Sequence, residues 1–153
     1  MLILLIVLTG IMAGIYLVFS IVIMKSLNKL PPIQGAQAMN KINDVILNTI
    51  FIPIFFGTTL WFAGLIAWEF SDWKGSQSIS LIAASLIYIV GMFLVTAFGN
   101  VPLNNQLKRS ENDEVQLQTS WKIYQDQWTR LNHIRSLACA ASCSLLAMAL
   151  IQF

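Results

Sequence analysis

The sequence predicts an all-α integral membrane protein, an antiparallel four-helix bundle whose second and fourth helices extend into the cytoplasm. Three observations lead there. Hydrophobic residues make up 57% of the 153-residue chain and charged residues only 10%, against about 25% charged in an ordinary soluble domain. The apolar residues gather into four runs, 2–24, 45–68, 79–98 and 134–153, each near or above the roughly 20 residues that carry a helix across ~30 Å of hydrocarbon. The first three runs lack any charged face at helical spacing, which a core helix of a soluble bundle would need. At this length we expect a single four-span domain covering residues 1–153.

The first run lacks a basic leader and exceeds the roughly 7–15 apolar residues of a secretion signal, so it is expected to remain as the first span. It contains Gly10-x-x-x-Gly14, a spacing that lets another backbone approach. Thr9, Tyr16 and Ser20 align on a neighbouring stripe expected to face the bundle. Pro31-Pro32 stops this helix, because proline has no N–H and restricts the residue before it. From Gln34 to Trp68 the pattern reads as one helix with an amphipathic start, on which Asn40, Asn43, Asp44 and Asn48 share an arc. Pro53 is expected to kink it inside the membrane. Gly57 and Gly64 give it a close-packing edge, so a homo-oligomer built through the glycine-rich faces is expected.

Trp68, just before the short loop Glu69–Ser78, and Trp73 within it are placed as an interfacial aromatic belt would be. Ser85, Tyr88, Met92 and Thr96 form a stripe on the third span running down to Asn100, and Pro102 is expected to close that helix. Ser110 is placed to cap the next one, with acidic residues in its first turn. Trp121, Tyr124, Trp128, Asn132, Arg135, Cys139 and Ser142 then repeat at three and four residues, so one continuous helix stacks them along one side. From Val115 to Leu150 such a helix is about 54 Å long at ~1.5 Å per residue, more than a bilayer, and its first half is expected in the cytoplasm. Cys139 and Cys143 share a helix face and are expected to be reduced, because a disulfide at that spacing distorts the backbone.

Lys25, Lys29 and Lys41 lie between the first two spans and Lys108, Arg109, Lys122, Arg130 and Arg135 before or at the start of the fourth, whereas Lys74 alone lies in the other loop. The positive-inside rule then puts both large loops in the cytoplasm and both termini outside, in the cytoplasmic (plasma) membrane. The net charge of +2 is a topology signal. No basic patch with interleaved aromatics stands out, so nucleic acid is not an expected partner and the lipid bilayer is.

The chain has no phosphate-cradling glycine loop, no Cys-x-x-Cys, no two-histidine helix motif and no nucleophile elbow. With one histidine, no metal site within a subunit and no cofactor are expected. What remains is a polar cluster near one membrane face: Asn40, Asn43, Asn48, Asn100, Asn104, Asn132, His133 and Arg135. Amides and a guanidinium at membrane depth are costly unless paired, which makes them candidates for a site. The same residues can act as helix caps and interhelical glue, Arg135 can snorkel to the interface, and Trp121 and Trp128 can be packing or belt residues. His133 is the only side chain with an unperturbed pKa near neutrality, and it is also placed as a solvated or capping group would be.

The string Gly99-Asn100-Val101-Pro102-Leu103-Asn104, followed after a polar helix by Trp128-x-x-x-Asn132-His133-x-Arg135, resembles the signature of the small four-span membrane family that includes the anthrone oxygenases. The Asn40–Asn48 segment and the layout are similar too, so the resemblance extends over nearly the whole chain. It implies an oxygenase that turns an anthrone into an anthraquinone with molecular oxygen and no bound flavin or metal. Under that resemblance His133 is the candidate base and Asn100, Asn132 and Arg135 are donors to the enolate. Asn43, Asn48 and Asn104 would bind substrate beside an aromatic wall of Trp121, Tyr124 and Trp128. Most members of the family are of unknown function, and a non-enzymatic membrane protein for small-molecule binding, transport or assembly is the competing expectation.

Overall fold

The computed structural model describes residues 2–151. Its helices are α1 (Leu2–Leu27), α2 (Pro32–Ile46), α3 (Phe51–Ser71), α4 (Ser76–Arg109) and α5 (Glu114–Ile151). All except α2 are long and apolar enough to cross a membrane. The last two residues of the expected fourth span, 152 and 153, lie outside the described residues. The four long helices form a ring in which α5 packs on α1 and α4, α4 on α3, and α3 on α1.

Interhelical hydrogen bonds fix the directions. Asn132 reaches Tyr16, Ser136 reaches Ala13 and Cys143 reaches Ile6, so α5 runs against α1. Ser142 reaches Ala84 and Gln77 reaches Ala149, so α5 also runs against α4. The bundle is antiparallel, and its outer surface carries Leu4, Val7, Ile11, Phe56, Leu60 and Leu86, all exposed. Leu2 and Ile151 therefore lie together at one end, the terminal end. At the other, the polar end, α1, α4 and α5 run on beyond their apolar stretches.

Two clusters make up the interior. Between the spans, Leu5, Met12, Tyr16, Phe62, Tyr88, Met92 and Leu146 pack together, with the Phe62 and Tyr88 rings stacked at 4.4 Å. At the polar end α2 lies across the extensions and buries Ala36 and Met39 against Leu27, Leu107, Leu117 and Trp121. This crossing depends on Gly35: a Cβ there would lie 2.8 Å from the Leu27 carbonyl oxygen and 3.1 Å from the Trp121 ring. Of the glycines in the spans, Gly91 leaves least room: a Cβ there would stand 2.5 Å from that of Ala138. Gly14, Gly57 and Gly64, by contrast, have open space where a Cβ would be.

Several expected boundaries move. The helix expected from Gln34 to Trp68 is two helices. Asn48 and Thr49 turn their side chains back onto the carbonyls of Asp44 and Ile46, satisfying acceptors at the end of α2, and the chain restarts at Phe51. Pro53 sits in the first turn of α3, where its missing N–H has no intrahelical role to lose, so it starts a helix and does not kink one.

Pro102 does not close the third span, because the preceding turn is wide: residues Thr96–Asn100 are π-helical and the Val101 N–H bonds the Thr96 carbonyl, five residues back. A turn opened in that way accommodates the donor that proline lacks, and α4 runs on to Arg109. Ser110 caps no following helix. Its hydroxyl donates to the Leu107 carbonyl at the end of α4, and the cap of α5 is Asp113, which accepts from the N–H groups of Val115 and Gln116. From there α5 is continuous, and the side chains predicted to stack along it, from Trp121 to Ser142, are all buried.

Candidate functional site

The α5 stripe supplies the backbone of the site. Trp121, Tyr124 and Trp128 stack with centroids 5.7 and 5.5 Å apart and planes within 18°, and Arg135 follows two turns above Trp128. Its guanidinium carbon lies 4.3 Å from the Tyr16 ring centroid and 5.1 Å from that of Trp128. Each such contact stabilises a desolvated cation by about 0.5–2 kcal/mol. Nη1 donates to Thr96 Oγ1 at 3.3 Å and Nη2 to Asn132 Oδ1.

No carboxylate joins them. Among the described residues the ion pairs involve Lys74, Lys108 and Arg130, not Arg135. Arg135 is only 5% exposed, so a full positive charge sits inside the bundle balanced by π faces and neutral oxygens alone. That is an expensive arrangement unless an anion or developing negative charge is to be received there.

Asn132 fixes the cation against α1, since its Nδ2 donates to the Tyr16 carbonyl and to Ser20 Oγ, both at 2.6 Å. One amide thereby bonds two helices and orients Arg135. Asn100 Nδ2 donates to the Trp128 carbonyl at 3.2 Å. Tyr124 donates its hydroxyl proton to Asn104 Oδ1 at 2.8 Å and accepts from Asn43 Nδ2 at 3.5 Å, tying α2, α4 and α5 together. Segments of π-helix lie beside this network in α1 (Phe19–Ile23) and α4 (Ile89–Leu94 and Thr96–Asn100), the kind of irregularity that recurs where helices carry function.

These side chains enclose a cavity of about 220 Å³ lined by Tyr16, Phe51, Phe55, Asn43, Thr96, Asn100, Asn104, Trp128, Asn132 and Arg135, among others. Three of the lining residues hold a buried polar atom with no partner: Asn100 Oδ1, Trp128 Nε1 and Arg135 Nε. Unpaired buried donors and acceptors cost about 1–3 kcal/mol each, and here they border a space that a polar ligand can fill. The volume is below the ~300–1,000 Å³ of sites for drug-sized molecules, which suits a compact flat ring system.

Of the residues singled out from the sequence, Asn43, Asn100, Asn104, Trp128, Asn132 and Arg135 line this cavity. Tyr124 stands behind it, holding Asn43 and Asn104. Trp121 is one step further, packed under α2, and completes the stack without reaching the space. Asn48 is exposed, with its amide on the Asp44 carbonyl. His133 is also exposed and borders a separate notch with Ser20, Lys25, Asn28 and Gln125. The reason is helical geometry: Asn132 and Arg135, three apart, share the inward face, and one residue turns His133 away by about 100°. The sequence reading missed Tyr16 and Thr96 as site residues, although their polar stripes on the first and third spans carried the signal. Among the described residues no three His, Cys, Asp or Glu side chains gather as a metal site would require.

Fold and site together define a four-span membrane protein with a small, mainly apolar chamber into which a few amides and an uncompensated arginine are set. The anthrone oxygenase family model matches residues 45–145, and the chain belongs to that family. The match covers α3, α4 and most of α5, leaving out α1 and nearly all of α2, so Asn43 and Tyr16 come from outside it and the likeness is less extensive than the motifs implied. No curated protein and no solved structure matches the chain.

Proposed function

We propose that the chain is a cofactor-independent oxygenase of a small phenolic or anthrone-type aromatic, bound as its anion beside Arg135. The buried, unpaired guanidinium carries this reading. An anthrone loses a ring-carbon proton to give an enolate whose negative charge rests on oxygen, and a fixed cation with amide donors in a water-poor chamber favours that form. The enolate passes an electron to molecular oxygen, the oxygen adds at the reacting carbon, and loss of water leaves the quinone. One oxygen atom of O₂ enters the product, the other leaves as water, and the ring carbon is oxidised from CH₂ to C=O.

Arg135, oriented by Asn132, holds the oxyanion in this reading, Asn100 and Trp128 offer the remaining polar contacts, and Tyr16, Phe51 and Phe55 flank the ring. His133 faces away from the chamber and is not its base. The enolate forms because the guanidinium makes the bound carbon acid more acidic, and the proton leaves through the polar end to water. The basic loops support placing that end on the cytoplasmic side of the plasma membrane.

The test is direct. Protein purified in detergent, supplied with an anthrone in aerated buffer, should speed the appearance of quinone absorbance above detergent alone, with oxygen consumed in equal amount. An unchanged rate combined with saturable binding of the anthrone would make the protein a carrier for such molecules. Neither turnover nor binding would end the proposal for this substrate class.

A further inference from the structure

We propose that the terminal end of the bundle holds a second ligand site, taking an apolar body that carries a protonated amino group. A cavity of about 540 Å³ opens there between α1, α3, α4 and α5, with Leu5, Trp61, Leu65, Leu81 and Leu150 in its wall. It shares no lining residue with the chamber around Arg135, and its volume is within the ~300–1,000 Å³ of small-molecule sites.

The wall is apolar except for Glu69 and Lys74. Glu69 is 4% exposed, and its Oε2 accepts from Ser78 Oγ at 2.6 Å. The same hydroxyl oxygen accepts the Lys74 backbone N–H at 2.7 Å, so its one proton is committed to Glu69. These bonds orient the carboxylate without neutralising it. Lys74 also lines the cavity, but its ammonium pairs with Asp72 at 3.0 Å on the exposed side. Among the described residues Glu69 has no ion pair.

A buried carboxylate without a cation is costly and repels anionic ligands, whereas an ammonium placed beside it removes the cost. The rim explains the apolar body. Trp68 is 61% and Ile3 64% exposed, and both border the cavity, so its mouth opens onto the apolar outer surface of the bundle. A free hydrophobic amine and the ethanolamine head of a membrane lipid share this chemistry.

The experiment uses the full chain in phosphatidylcholine nanodiscs, titrated with dodecylammonium or, as the neutral control, dodecanol, while the thermal unfolding midpoint is followed. Dodecylammonium should raise the midpoint saturably and dodecanol should not. Glu69→Gln keeps an acceptor for Ser78 but removes the charge, and should weaken the response about tenfold or more. Gly64→Leu provides a second variant, because Gly64 lines the cavity with open space where a Cβ would be; its side chain should fill the site and abolish the response with Glu69 intact.

Nanodiscs containing phosphatidylethanolamine separate the two sources. A raised starting midpoint with a blunted amine response identifies the lipid, and an unchanged response identifies a free amine. Equal shifts for dodecylammonium and dodecanol, or an undiminished amine response in either variant, overturn the site. Quinone formation at the other end should be unchanged in Glu69→Gln, so this proposal can fail while the oxygenase reading stands.

Discussion

The two ends of the bundle each bury one charge in an apolar scaffold, and they support it differently. At the polar end Arg135 is held by two aromatic rings, Thr96 and Asn132, and the helices around it bend their hydrogen bonding into π-turns. At the terminal end Glu69 rests on one hydroxyl beside a cavity more than twice as large, in regular α-helix. The small, crowded chamber is built to hold one group in one orientation, which is the requirement for stabilising a transient anion. The roomier one would fix a head group and tolerate variety in the apolar body attached to it. Under the two proposals electrostatics sets the sign of the ligand at each end, and packing sets how closely its shape is read.

The largest expected effect falls on the polar end. Arg135→Ala removes the only cation in the chamber and should slow quinone formation about 100-fold or more, the usual cost of losing an oxyanion donor. Arg135→Lys should recover only part of the rate, because an ammonium restores charge but not the fork that spans Thr96 and Asn132. Initial rates at saturating anthrone check both. A rate for Arg135→Ala within twofold of the parent would leave the contrast between the ends without functional meaning.

Asn132→Ala is expected to act on stability as well as rate. It leaves the Ser20 hydroxyl and Arg135 Nη2 each short of a partner, a loss of about 1–3 kcal/mol. A lowered unfolding midpoint together with reduced turnover is the expected outcome, and a loss of turnover at unchanged midpoint would assign Asn132 to the chemistry alone. Between the ends, Gly91→Ala forces α4 from α5 at the waist and should destabilise the bundle by about 1–3 kcal/mol. Gly64→Ala, with open space around it, should not, and comparing the two midpoints shows whether the waist or the cavity wall sets helix spacing.

Much of this architecture is legible in the residue order because a bilayer makes hydrophobic length decisive. The four spans and the stripe from Trp121 to Ser142 emerge from run length and from three-and-four periodicity. The departures have one origin. Sequence reasoning gives Pro53, Pro102 and Ser110 the roles such residues have in a regular α-helix, whereas here a first-turn position, a π-turn and a carbonyl-bonded hydroxyl give them others. None of these is written in spacing. The chamber is half legible: Asn100, Asn132 and Arg135 stand out as polar residues in apolar runs, whereas the stripes that hold Tyr16 and Thr96 mark an inward face but not that Arg135 lies against them. Glu69 escapes for a similar reason, since a carboxylate beside a loop gives no sign in sequence that Ser78 turns it inward.

The smallest expected effect is also the sharpest on this point. His133 carries the side chain best suited by chemistry to remove a proton, and the structure sets it on the outer face of α5 with Lys25 and Gln125 near it. Reaching the chamber would require α5 to rotate by about 100°, which would withdraw Asn132 from Tyr16 and Ser20 and pull Arg135 off its rings. Holding the cation in place therefore excludes the histidine. His133→Ala should leave quinone formation within about twofold of the parent and the stability within about 0.5 kcal/mol, as for other exposed positions. A tenfold loss of rate with intact folding would mean that the helix turns during catalysis, and that the resting position of Arg135 is not the one in which it works.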